Sequence, residues 1–128
     1  MAVTVDVLKL TQVQGVVAVS GTGAAGTIAL ATTLKKSTET QSTPIANIRS
    51  IKWTLAAAGV ATVTRNSKVL YDLDKSGEIE FNGFSDIREN GSDIVVTLSG
   101  GSGTVIVETT KVSGYGSQQH QGADGSLG

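Results

Sequence analysis

The sequence predicts an all-β protein: an antiparallel β-sandwich or barrel of about eight or nine short strands, followed by a flexible C-terminal arm. Three observations carry that expectation. The chain holds 15 Val, 8 Ile and 16 Thr in 128 residues, and side chains branched at Cβ are stiff at the first torsion, which suits a pleated surface better than a helix. Apolar residues recur with a period of two, the period at which a strand turns its side chains to opposite faces. Sixteen glycines and a single proline punctuate the chain at the short intervals of sandwiches and barrels.

Taken in order, Val3, Val5 and Val7 alternate with polar neighbours, and the phase then slips to Leu8 and Leu10, which predicts a bulge. Residues 13–19 read as a second strand that ends in the glycine cluster 21–26, and Ile28, Leu30 and Leu34 fit a third. The polar run from Lys35 to Pro44 reads as an exposed loop. Strand resumes over residues 45–55 with Ile51, Trp53 and Leu55 on one face, and Gly59 turns the chain into residues 60–65. Val69, Tyr71 and Leu73 alternate with Lys68, Leu70 and Asp72. The turn sequence Asp74-Lys75-Ser76-Gly77 follows, then Ile79 and Phe81 alternate with Glu78 and Glu80; this pattern predicts a hairpin. Two closing strands, residues 93–99 with Ile94, Val96 and Leu98 aligned and residues 104–112, are separated by Gly100, Gly101 and Gly103. The stretch from Ser113 to Gly128 is rich in Gly and Gln and cannot offset its own ordering entropy by burial. The expected organisation is a β domain at residues 1–112 and a flexible arm at 113–128.

Bulk properties narrow the function. A chain of 128 residues is one domain by default and buries roughly two-thirds of its unfolded surface, so it needs no staple to fold. With a net charge of −1 and 16% charged residues, no basic stripe advertises nucleic acid. The absence of cysteine removes disulfides, thiolate metal sites and thiol catalysis. The start, Met1-Ala2-Val3-Thr4-Val5-Asp6, lacks the basic and apolar regions of a signal peptide, and no apolar stretch nears the roughly 18 residues of a membrane span. The expectation is a product soluble where it is made, with no membrane partner. Aromatic content of 4% argues against a base-stacking platform.

Several motifs look like chemistry. Gly21-Thr22-Gly23-Ala24-Ala25-Gly26 matches the dinucleotide pattern, but that motif needs a helix after the glycines to hold a pyrophosphate, and Thr27-Ile28-Ala29-Leu30 reads as strand. Asp72-Leu73-Asp74-Lys75-Ser76-Gly77 resembles the opening of a calcium loop, yet the twelfth position, which should be a bidentate Glu, is Gly83; a turn is expected in place of a calcium site at Asp72 and Asp74. His120, the single histidine, falls in the expected arm, away from any base or nucleophile. Glu78 and Glu80, with Asp72 expected across the hairpin, read as the solvated face of a half-buried pair. Trp53 is expected in the core. The reading is therefore a non-enzymatic protein with no catalytic, cofactor-binding or metal-binding residues, no cofactor and no small-molecule substrate.

Four segments carry a resemblance. Asn47-Ile48-Arg49-Ser50-Ile51-Lys52-Trp53, Thr62-Val63-Thr64-Arg65-Asn66-Ser67-Lys68-Val69-Leu70, Ser92-Asp93-Ile94-Val95-Val96-Thr97-Leu98-Ser99-Gly100 and Thr110-Lys111-Val112-Ser113-Gly114-Tyr115-Gly116 resemble small virion structural proteins of tailed bacteriophages, particularly those of cyanobacteria and other marine hosts. The likeness runs over most of residues 1–116. It implies a virion component present in many copies and assembled in the host cytoplasm. As a capsid decoration (cement) protein it would bridge neighbouring subunits of the major capsid protein; the alternative is a neck or tail component with other virion proteins as partners. A homo-oligomer is expected, with trimers at capsid symmetry axes because oligomers normally close by symmetry, and the C-terminal arm with the N-terminal strand is expected to clasp neighbouring subunits. A host-surface glycan-binding module, drawing on Trp53, Tyr71, Phe84 or Tyr115, is the competing class.

Overall fold

The structure, a computed structural model, describes residues 3–11, 13–35, 39–81 and 85–117, with the side chains of 39–43 and 113–117 outside that description. Among the described residues nine strands follow one another: β1 (Val3–Leu10), β2 (Gln14–Gly21), β3 (Ala24–Ile28), β4 (Glu39–Leu55), β5 (Val60–Arg65), β6 (Lys68–Asp74), β7 (Ser76–Glu80), β8 (Ile94–Ser99) and β9 (Gly103–Ser117). They build two antiparallel sheets, a five-stranded one in the order β1-β2-β9-β4-β7 and a four-stranded one in the order β3-β8-β5-β6. The predicted all-β sandwich is the fold.

The core lies between the sheets, and period-two alternation fills it from both sides. One inward row of the larger sheet runs Val5, Val19, Val105, Trp53, Gly77 and the next runs Val17, Val107, Ile51, Ile79, with Val7 in register on the edge strand but 44% exposed. The smaller sheet contributes Ile28, Ala61, Val63, Leu73, Ile94, Val96 and Leu98, all buried. Each large aliphatic side chain among them stabilises by about 1.5–3 kcal/mol when fully buried. Gly26 belongs to this packing: a Cβ there would lie 2.7, 2.9 and 3.0 Å from methyl groups of Val19, Val5 and Val3. Its bare backbone lets the valines of β1 and β2 close onto β3.

Several expectations hold in detail. The bulge in β1 falls between Val7 and Lys9, where the phase slip places it. Ile94, Val96 and Leu98 are buried together. Leu30 and Leu34 are buried too, but not in a strand: β3 ends at Ile28, and the Thr33 amide donates to the Ala29 carbonyl at 2.8 Å, closing a helical turn.

The expected hairpin after Tyr71 is a correction. β6 pairs with β5, while β7 pairs with β4 in the other sheet. Lys75, at φ 59°, is where the chain crosses. The carbonyls around it are claimed by β4: the Trp53 indole donates to Asp74 at 2.8 Å and the Leu55 amide to Lys75 at 2.7 Å. The turn residues do redirect the chain, but β4 supplies the partner on the far side.

The tight two-residue hairpin lies one strand earlier, between β5 and β6, where Asn66 and Ser67 have φ of 52° and 62°. Two positive φ values in succession define the turn that matches the twist of paired strands. Ser carries a steric penalty in that region that Gly does not. Ser67→Gly is expected to stabilise the protein by about 0.5–1 kcal/mol, read as a shift in denaturant midpoint at unchanged slope.

A second correction joins two segments. Residues 35–44 are not wholly a loop and the chain from 113 onward is not wholly an arm, because β4 begins at Glu39 and β9 runs on to Ser117. They pair with each other: Glu39 with Ser117, Thr40 with Gly116, Gln41 with Tyr115 and Ile45 with Ser113. Pro44, which has no amide to donate, sits where the register shifts between Gln41 and Ile45, the kind of position a strand proline needs. The remainder of the expected arm, residues 118–128, lies outside the described residues.

Candidate functional site

Three surface features stand out: a polar clasp at residues 85–92, a depression on the outer face of the larger sheet, and the β4–β9 overhang.

The clasp starts from Arg65. Alternation along β5 turns it inward with Ala61 and Val63, and it is fully buried. Its guanidinium donates to main-chain carbonyls: Nη1 to Ala46 at 2.8 Å, Nη2 to Asn90 at 3.1 Å and to Ser92 at 2.6 Å, and Nε to Ser92 at 2.9 Å. The planar fork thus ties β5 to β4 and to the 85–92 segment. Asp86 adds a second tie. Its backbone exchanges hydrogen bonds with Ile48, at 2.7 and 3.2 Å, and its carboxylate accepts from the Tyr71 hydroxyl and from Arg88 Nη2 at 2.7 Å. Arg88 lies over the Tyr71 ring, 5.4 Å from its centroid. Nearby, Glu89 accepts from Lys68 at 2.8 Å and from Asn66 at 2.9 Å.

The Asp86 side chain is only 7% exposed. Burial pushes its carboxyl up, but the hydrogen bonds from Arg88 and Tyr71 together outweigh burial and hold it down at about 2. Burial, reinforced by the Asp86 hydrogen bond, pushes the Tyr71 phenol up to about 12. Each group is held in the protonation state it has at neutral pH, which is the behaviour of a structural lock. Because the Asp86 carboxyl is held below its ordinary value of 3.8, its stabilisation is complete above that value and is lost as pH falls through about 2. Asp86→Asn is expected to lower stability at pH 7 by about 1–2 kcal/mol. The gap between variant and parent should close as melting is followed down to pH 2; a gap of constant size would contradict the assignment.

The depression, with a volume of about 400 Å³, is lined by Lys52, Thr54, Ser76, Glu78, Thr104 and Ile106, with Trp53 and Gly77 behind them. It lies on a polar face. Thr4, Ser20, Thr104, Thr54 and Ser76 form one row of hydroxyls across all five strands. Trp53, expected in the core, is half-buried and packs against it, with its indole over Gly77, where a Cβ would lie 2.8 Å from Cζ2.

The other residues singled out in the sequence do not converge. Asp72 is opposite Thr62, which donates to it at 3.2 Å, whereas Glu78 and Glu80 are exposed on the other sheet, opposite Lys52 and Ser50. The carboxylates expected across one hairpin are therefore on separate sheets. Gly23 lies in the turn between β2 and β3, and Gly26 is inside a strand, opposite Val96. Among the described residues, no group of three or more His, Cys, Asp or Glu is placed to hold a metal ion. His120, Gly83 and Phe84 lie outside the described residues, as does the Tyr115 side chain.

The overhang is a matter of strand lengths. β2 follows β9 only as far as the pair Gln14–Thr110, and the Lys111 amide makes a last bond to the Val13 carbonyl at 2.9 Å. β7 follows β4 only over residues 50–54. Past β7 the β4 edge is still bonded at Ile48 to Asp86 and at Ala46 to Asn90; beyond Ala46 and Lys111, β4 and β9 continue as a two-stranded ribbon. At roughly 3.3 Å per residue, the six residues 112–117 reach about 20 Å past the last β2 contact.

Comparison of the chain with family models, with curated proteins and with solved structures finds no match in any of the three.

Proposed function

We propose that this protein is a non-enzymatic structural component of a tailed-phage virion, a decoration protein that stabilises the capsid by bridging neighbouring capsid subunits. The observation that carries the reading is the β4–β9 ribbon: the sandwich holds out a pair of strands whose outer edges have no strand partner among the described residues, so their main chain is offered to a neighbour. Strand addition takes its affinity from main-chain hydrogen bonds, and many weak contacts repeated over a shell act together through high effective concentration. The hydroxyl-rich outer face suits a wet, extended contact, and the resemblance of the sequence to phage virion proteins supplies the setting. The clasp at residues 85–92 fits the same reading as a lock that keeps the body rigid.

The test is made on particles. Virions lacking the protein should assemble but release their genome at a lower temperature, and adding the purified protein back should restore the parental value. A copy number in the hundreds per particle supports the shell. A dozen or fewer would move the protein to the neck or tail, and unchanged heat resistance without it would remove the cement role.

A further inference from the structure

The sheet edges differ in how they are protected against pairing. β1 is bulged and carries Asp6 and Lys9. β7 is five residues long with Glu78 and Glu80 exposed. β6 bears Lys68, Asp72 and Asp74, is irregular between Val69 and Tyr71, and has its Leu70 carbonyl approached by Arg88 at 3.5 Å. β3 has only five residues. Short length, charge, bulges and covering loops are the usual devices that keep strand edges from joining. On the ribbon, β4 contributes Glu39 and Pro44. The remaining edge among the described residues, 113–117 of β9, reads Ser-Gly-Tyr-Gly-Ser, with neither charge nor proline.

We propose that residues 113–117 of β9 pair antiparallel with the same segment of a second copy of this chain, joining two ribbons about a two-fold axis. A strand edge is self-complementary under a two-fold rotation, because each copy offers the donors and acceptors that the other lacks. Self-pairing sets like residues near one another, so a charged edge repels its own copy and an uncharged edge does not. Gly114 and Gly116 leave room for the second backbone to approach. The apolar surface at this corner agrees: Val13 is 66% and Val112 52% exposed, the two segments are joined by the Lys111–Val13 bond, and Val7 and Leu8 are exposed on the adjacent strand. A two-stranded ribbon alone is marginal in water, and pairing across the two-fold adds main-chain hydrogen bonds to it. This inference deepens the reading above by naming one partner of the ribbon. It is tested on the isolated protein, so its failure is separate from that of the particle experiment.

The full chain should sediment as a dimer whose dissociation constant lies in the micromolar range, with the amides of residues 113–117 gaining hydrogen-exchange protection as concentration rises. The double variant Gly114→Lys, Gly116→Lys should weaken the dimer by at least about tenfold while the sandwich keeps its circular dichroism. Glu80→Lys on the β7 edge should leave the dimer intact. A monomer at about 200 µM, or an oligomer indifferent to both lysines, overturns the proposal. Should the double variant fold poorly, protection at 113–117 that does not change with concentration in the parent chain overturns it equally.

Discussion

Replacing Arg65 by Met is expected to destabilise the protein by about 3–5 kcal/mol, because it takes the guanidinium donor from the buried Ala46 carbonyl and the half-buried Ser92 carbonyl and leaves that of Asn90 with the Ala46 amide alone. The guanidinium reaches Ala46, Asn90 and Ser92 at 2.6–3.1 Å from a fully buried position. Each buried acceptor stripped of its partner costs about 1–3 kcal/mol, and Met fills the volume but offers no hydrogen. In a domain of this size the melting temperature should fall by roughly 10–15 °C. Arg65→Lys keeps the charge but loses the planar fork, so it should recover only part of the loss. A local readout separates this mechanism from simple loss of packing. The Ala46 amide bonds to the Asn90 carbonyl at 3.1 Å, and its exchange with solvent should speed up in Arg65→Met more than that of core amides in β2. A denaturation midpoint unchanged by the substitution would mean the carbonyls find other donors, and the clasp would not be the anchor described.

Arg65 also shows what the sequence reveals and what it hides. Parity along β5 points it inward with Ala61 and Val63, so its burial is legible from the alternation alone. Its carbonyl partners are not, since Ala46 and residues 90–92 reach it only through the fold. The strands, the β1 bulge and the inward rows come from the period of two, a local property. Pairing is not local. The sequence Asp74-Lys75-Ser76-Gly77 announces a turn, but whether the chain returns to its own sheet depends on which carbonyls β4 claims. The β4–β9 ribbon is hidden for one reason that acts twice: residues 39–45 and 113–117 are each too polar to order by burial. Main-chain pairing between two such segments, more than sixty residues apart, leaves no trace in hydropathy. The thin signal that exists is β-compatible residues on both sides, Thr40 and Thr43 on one and Tyr115 on the other. The Tyr71–Asp86–Arg88 cluster has even less, a bare Asp-x-Arg in a stretch without periodicity.

Gly100→Ala should be nearly as damaging as the loss of Arg65, at about 3 kcal/mol, for a reason confined to the backbone. Gly100 lies in the turn from β8 to β9 with φ at +76°, and a Cβ on it would stand 2.2 Å from the Ala58 carbonyl oxygen. The left-handed conformation alone disfavours Ala by about 1–2 kcal/mol. The clash adds to it, because the neighbour is main chain and has no rotamer into which to retreat. Nor is the Ala58 segment loose: the Gly59 amide donates to Ala56 and the Ala56 amide to Ser102, both at 2.8 Å, so the two turns that close this end of the sandwich brace each other. Gly91→Ala is the control, since a Cβ there meets nothing within 4 Å, and its effect should stay within about 0.5 kcal/mol. The turn at Gly100 is at the end of β9 opposite the ribbon, so Gly100→Ala should lower the melting temperature while the dimer constant, measured well below that temperature, stays at the parental value. Equal effects from the two glycine substitutions would show that the β8–β9 turn relaxes freely, and the bracing of the two turns would have to be abandoned.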